Sequence, residues 1–187
     1  MSFNLSAQDK SYWMCFNFSV DKQSDANDLV SAVDMLMNAE EMSQLPYTVF
    51  LFEINFANSK SGFTHQLCFL AQNADYLKQW GGGPGQFAES MLTNRIFEDV
   101  ATPYSSVLAS PLIFDSEKAG SYAYANVWEV KVTDVEKFAS LASDFIEANS
   151  NTFDGVIELH EAISGAESGV THFMVARSNN LGDWLRG

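Results

Sequence analysis

The sequence predicts an α+β fold made of two copies of one strand–helix–strand–strand module, and three observations carry that prediction. First, a helical stripe occurs twice: Leu29, Ala32, Val33, Leu36 and Met37 recur as Phe138, Leu141, Ala142, Phe145 and Ile146, each 109 positions on. Both sets keep the i, i+3, i+4, i+7, i+8 spacing that aligns side chains on one helix face. Second, the flanks are doubled. Phe16, Phe18 and Val20 alternate as Trp128, Val130 and Val132 do; Phe52-Glu53-Ile54 returns as Ile157-Glu158-Leu159, Thr64-His65 as Thr171-His172, and Asp75-Tyr76-Leu77 as Asp183-Trp184-Leu185. Third, the offsets stay between 105 and 112, so element order is kept while loop lengths drift.

Taken in order, residues 12–20 alternate apolar and polar as a strand, and Ser24 or Asp25 opens a helix reaching about Glu41. Pro46 precedes a β-branched and aromatic run over 47–56. The polar turn Asn58-Ser59-Lys60-Ser61-Gly62 then returns the chain as a hairpin over 64–71. Gly81, Gly82, Gly83, Pro84 and Gly85 break the chain as a hinge or lid, residues 86–100 suit a helix, and 106–114 a further strand. The first copy is thereby a complete βαββαβ unit. In the second, Thr133-Asp134-Val135-Glu136 reads as a capping box for the helix bearing Phe138, which ends near Asn149. Strands over 155–162 and 170–177 close a second hairpin around Gly165 and Gly169, and the copy stops at its final short helix. The expected domains are 1–119 and 120–187.

Composition narrows the function. With 47% hydrophobic and 13% aromatic residues, 187 residues build a real core. Ten Lys and Arg, scattered against 24 Asp and Glu, leave a net charge of −14 and no basic run to neutralise phosphates. Nucleic acid and anionic membrane are therefore excluded as expected partners. No apolar stretch reaches a membrane span and the start lacks a signal-peptide pattern, so the expectation is a soluble, cytoplasmic protein. Two cysteines make neither a disulfide framework nor a four-thiolate zinc site. Cys15 and Cys68 lie in strand-like apolar runs and read as small buried hydrophobes.

The element order is the ferredoxin-like split βαβ pattern, and two such sheets with helices on one face leave two apolar faces to be covered. Packing them face to face makes an intramolecular, pseudo-dimeric α+β barrel. On the duplication and element order over residues 11–184, the chain resembles the dimeric α+β-barrel superfamily. That group includes antibiotic-biosynthesis monooxygenases, muconolactone isomerases and the fused two-copy, chlorite dismutase-like haem proteins. The resemblance implies a pocket between the sheets and a homo-oligomer built through other surfaces. It implies fold more than chemistry.

Glu53 and Glu158 fall in equivalent mid-strand slots by the 105-residue offset, with Asn55 matched by His160. Alternation places Glu158 and His160 on one face, the face a barrel would enclose. A carboxylate in an apolar surround has its pKa raised and serves as a general base. The plain alternative is a solvated or structural acceptor. His65 and His172 each follow a Thr and read as hairpin caps; with no HExxH and no CxxC, no metal motif is present. The aromatics Trp13, Phe16, Phe18, Tyr122, Tyr124 and Trp128 of the first strands are core, with Trp128, Asn55, His65 and His172 as candidate pocket lining. No nucleophilic triad has local context.

Three functional expectations follow. The leading one is a small-molecule binding protein taking an apolar or aromatic ligand, with no cofactor favoured. The second is a cofactor-independent monooxygenase or isomerase using Glu158, His160 or Glu53 on an aromatic or polyketide-like substrate. The third, implied by the resemblance, is a haem-binding protein, although the strand-borne histidines do not match the helix-borne axial ligand of that group.

Overall fold

The computed structural model describes residues 10–20, 23–38, 47–55, 62–77, 100–118, 120–149 and 155–180. The chain divides into two compact units, Met1–Leu108 and Ala109–Gly187. The division falls inside a strand, ahead of the 119/120 boundary expected from sequence. No helix among the described residues is long and apolar enough to cross a membrane.

Unit one runs β1 (Tyr12–Ser19), α1 (Gln23–Met37), β2 (Tyr47–Glu53), β3 (His65–Ala71), α2 (Ala74–Leu77) and the start of β4 (Thr102–Ile113). Its strand order is β2-β3-β1-β4, with β1 and β2 both antiparallel to β3. Alternation in β1 sends Met14, Phe16 and Phe18 to one face, where Leu67 and Phe69 of β3 and Val49 and Leu51 of β2 join them. Leu29 and Val33 of α1, four residues apart, bury against that face. Full burial of Leu29 and Phe18 is worth about 1.5–3 kcal/mol each, so this stripe is what holds helix to sheet. A short α2 is started by Asn73, whose Oδ1 accepts from the Asp75 amide at 3.0 Å. β4 begins four residues earlier than its apolar pattern suggests, because Thr102–Ser105 are exposed and carry no alternation signal.

Cys15 and Cys68 stand directly opposite each other on β1 and β3 and are joined as a disulfide. This corrects their reading as separate buried hydrophobes. Two cysteines on non-consecutive strands give no sequence signal of facing one another; the antiparallel register alone brings them together.

Unit two comprises the end of β4, β5 (Tyr124–Val130), α3 (Val135–Asn149), β6 (Gly155–Ser164) and β7 (His172–Ser178), in the order β4-β6-β7-β5 with β5 and β6 antiparallel to β7. The cap of α3 is Asp134, one position later than the expected box: its Oδ1 accepts from the Lys137 amide at 3.0 Å and its carbonyl takes the first helical bond, from Phe138. Gly165 and Gly169, at φ of 78° and 92°, turn the hairpin where a side chain would be strained. The helical stripe behaves differently from that of unit one. α3 buries none of its side chains, and Leu141 and Phe145 are 56% and 55% exposed.

The same hydrogen bonds recur in each unit. The amides of Val20 and Val132 donate to the hydroxyls of Thr64 and Thr171 at 2.9 and 2.8 Å, the amides of Thr64 and Thr171 to the carbonyls of Phe18 and Val130 at 3.0 Å, and those of Ile54 and Ala162 to the carbonyls of Thr64 and Thr171 at 2.8 and 2.9 Å. Glu53 faces His65 and Glu161 faces His172 in the two hairpins. Register therefore matches Glu53 with Glu161, not with Glu158, and Asn55 with Ile163, not with His160. The 105-residue offset is wrong by three, an odd slip, and an odd slip exchanges the faces of a strand. The readings on residues 58–61, 81–99 and 183–185, including the hinge or lid at Gly81 to Gly85, lie outside the described residues.

Candidate functional site

Unit two holds an array of three ionisable side chains away from solvent. Glu158 and His160, two apart on β6, project to one face, and Arg177 of β7, opposite Val156, projects to the same face. His172, of opposite parity, lies against Phe138 of α3 with ring centres 6.4 Å apart, so the Glu158 face is the one turned away from α3. Glu158, His160 and Arg177 are 1%, 4% and 5% exposed. Arg177 donates from Nε to Glu158 Oε1 at 2.8 Å, and His160 Nε2 meets Glu158 Oε2 at 2.9 Å. Both carboxylate oxygens are thereby engaged. Phe114, just past β4, lies 5.9 Å ring to ring from His160, while Val175 and Phe173 line the same face of β7.

Burial pushes the Glu158 carboxyl up, but the hydrogen bond from His160 and the charge and hydrogen bond of Arg177 outweigh it, so its pKa is held below the ordinary carboxylate range. This reverses the expectation of a raised pKa. Sequence reasoning treated the site as apolar because it placed no cation there. Arg177 was missed, yet one signal was present: it is a lone cation inside an apolar strand, and a buried charge requires a partner.

The remaining predicted residues are not part of this array. Glu53 is exposed at the end of β2, on the face that carries Val49 and Leu51 toward α1. Asn55, past the end of β2, is exposed as well. Trp128 is 37% exposed and, opposite Met174 on β5, shares the His172 face. His65 is half-buried on the α1 side of its sheet and stacks on Phe18, ring centres 6.2 Å apart. His65 Nδ1 and His172 Nδ1 each lie 2.9 Å from the preceding Thr hydroxyl. Burial lowers the pKa of both imidazoles, opposed by the charges of Glu53 and Glu161 respectively. His172 is 3% exposed, and its Nε2 is buried with no hydrogen-bond partner. Among the described residues no group of three or more His, Cys, Asp or Glu side chains is placed to hold a metal ion.

Solved structures place this fold. A mutant chlorite dismutase from Candidatus Nitrospira defluvii is similar at a TM-score of 0.59 and 13% identity, over 94% of this chain and 79% of that one. The chlorite dismutase of the same organism in complex with imidazole is similar at 0.58 and 13%, over 96% and 81%. An anthrone oxidase-like protein is similar at 0.58 and 14%, over 97% and 78%. These likenesses show that the chain shares the α+β fold of these proteins, and at such identity they show fold alone. No protein-family model and no curated protein matches the chain.

Proposed function

We propose that this chain is a small-molecule binding protein whose ligand meets unit two at Glu158, His160 and Arg177. The observation that supports it is the burial of all three. Taking a carboxylate and a guanidinium out of water costs several kcal/mol per ion, and apolar residues of the same volume commonly hold a sheet face at less cost. Buried charged groups of this kind gather where a ligand is oriented. Phe114, Phe173 and Val175 supply an apolar wall beside them, the usual make-up of a small-molecule site. The repeated hydrogen bonds further support reading the two units as copies of one module, of which the second acquired the charged array.

The proton-abstracting enzyme is the weaker reading, since a carboxylate already bound by Arg177 and His160 is a poor base at neutral pH. Native mass spectrometry of the purified protein tests the binding reading. A retained small molecule in the wild type that is lost in Glu158→Gln supports it; a bare chain in both would refute it.

The similar solved structures favour a haem-type cofactor as the second reading. A haem needs one imidazole nitrogen not already spent. His160 engages Nε2 with Glu158 and His172 engages Nδ1 with the Thr171 hydroxyl, and the second nitrogen of each ring is buried. The residues present do not fit the group: His160 and His172 are 4% and 3% exposed, with Phe114 and Phe138 against their rings, so neither buried nitrogen is open to a porphyrin. Titration with hemin, followed by its visible absorption, decides whether the cofactor binds at all.

A further inference from the structure

α3 carries its largest apolar side chains where they meet water. Phe138, Ala142 and Ile146 are partly covered, and Phe138 lies against His172 of the sheet, whereas Leu141 and Phe145 are more than half exposed. At 3.6 residues per turn, Lys137, Leu141, Phe145 and Ala148 fall on one strip along the side of the helix. At the 109-residue spacing, α1 has Ala32 where α3 has Leu141, so the larger side chain adds apolar surface outside the core. Tyr124 and Trp128 of β5, each more than a third exposed, project to the same side of the unit-two sheet as α3. Apolar side chains grouped in this way on a soluble chain mark a surface that meets another protein.

We propose that this strip is a self-complementary interface, on which α3 of a second copy of the chain packs antiparallel across a twofold axis near Ala142 and Ser143. Leu141 then meets Phe145 of the second copy, and the symmetry repeats that contact at the other end. The charges select both the partner and the direction. α3 has three carboxylates, Glu136, Asp144 and Glu147, and one cation, Lys137, near its N-terminal end. A parallel pair sets every residue beside its own copy, so Asp144 faces Asp144 and Glu147 faces Glu147. The antiparallel pair brings Lys137 level with Glu147 of the second copy twice over, and sets no carboxylate opposite another. A contact along one 15-residue helix, about 22 Å long, is smaller than the about 1,000 Å² of a lasting interface, so the dimer dissociates on dilution. The interface is independent of the ligand reading above, and either can fail without the other.

Sedimentation velocity over a dilution series tests this, in about 0.15 M salt so that the repulsion between two acidic chains is screened. The wild type should pass from dimer to monomer on dilution. Leu141→Glu, which places a charge in the centre of the contact, should raise the dimer Kd at least about 30-fold. Lys137→Glu and Glu147→Lys should each raise it about 5–20-fold, two ion pairs being lost by symmetry, and Lys137→Glu/Glu147→Lys should return it to near the wild-type value. Both single changes favour the helix dipole, an acid in the first turn and a base in the last, so a weaker dimer is not a weaker helix. Glu147→Lys also reduces the net charge of −14. If general repulsion governed association, that variant would dimerise more tightly, and such a result overturns the inference. So does a wild type that stays monomeric up to about 1 mM, a dimer indifferent to Leu141→Glu, or a charge swap that restores nothing.

Discussion

Replacing Arg177 by Met leaves Glu158 buried with its second oxygen unpaired, and the cost follows from the geometry. At 2.8 Å the pair attracts by about 6 kcal/mol at an effective dielectric of about 20, set against a desolvation cost of several kcal/mol per ion. The pair as a whole is therefore close to neutral for stability, while removal of one member is not. Arg177→Met should lose about 3–5 kcal/mol, because the carboxylate stays desolvated while its countercharge is gone. Glu158→Gln/Arg177→Met should lose only about 1–3 kcal/mol, since a neutral amide still accepts from His160. The two losses cannot be additive, and a double-mutant cycle by urea denaturation measures the coupling. The effect of pH is fixed in sign. In the wild type Glu158 has a folded pKa below its unfolded value of about 4.3, so its contribution is present above that value and lost as pH falls through the folded one. In Arg177→Met the folded pKa moves up, and the deficit relative to wild type must shrink on acidification toward pH of about 4.5. A deficit below about 1 kcal/mol, or one that does not change with pH, would refute the account of a desolvated, compensated charge.

Three further outcomes are expected. Reduction of Cys15–Cys68, or Cys15→Ala/Cys68→Ala, should cost about 4 kcal/mol, since the bond closes a loop of 53 residues in the unfolded chain; equal urea midpoints with and without reductant exclude that contribution. Asp134→Ala should lower stability by about 0.5–2 kcal/mol through loss of the bond to the Lys137 amide while Asp134→Asn stays near wild type, a ranking that thermal melts can contradict. Because the pKa values of His65 and His172 are lowered, the folded chain binds fewer protons than the unfolded one just below pH of about 6.5; stability should rise with pH through that window, and a flat urea midpoint from pH 5.5 to 7.5 would show that the rings are not shielded.

Disulfides persist chiefly in oxidising compartments, so Cys15–Cys68 and the cytoplasmic expectation point in different directions. Alkylation and mass measurement of protein taken directly from cells distinguishes them.

What the sequence determined by itself was periodicity. The i, i+3, i+4 stripes around Leu29 and Phe138 announced α1 and α3, the alternation of Phe16, Phe18 and Val20 announced β1, and the paired Thr-His steps marked the start of β3 and β7. These signals are local, arising within one turn or one pleat, and a linear reading captures them. That Glu158 and His160 share a face was legible for the same reason. What only the tertiary structure decided was register. The β2–β3 ladder sets Glu53 opposite His65 as the β6–β7 ladder sets Glu161 opposite His172, so Glu53 corresponds to Glu161 and not to Glu158; the β1–β3 ladder sets Cys15 opposite Cys68; and the β6–β7 ladder brings Arg177, 19 residues distant from Glu158 in sequence, to 2.8 Å from its carboxylate. Pairing between strands depends on loop lengths and on which faces are buried, so its energy belongs to no single segment. A slip of three residues leaves the hydrophobic pattern readable and reverses the direction of every side chain, which is why the elements were legible while the partners of Glu158 were not.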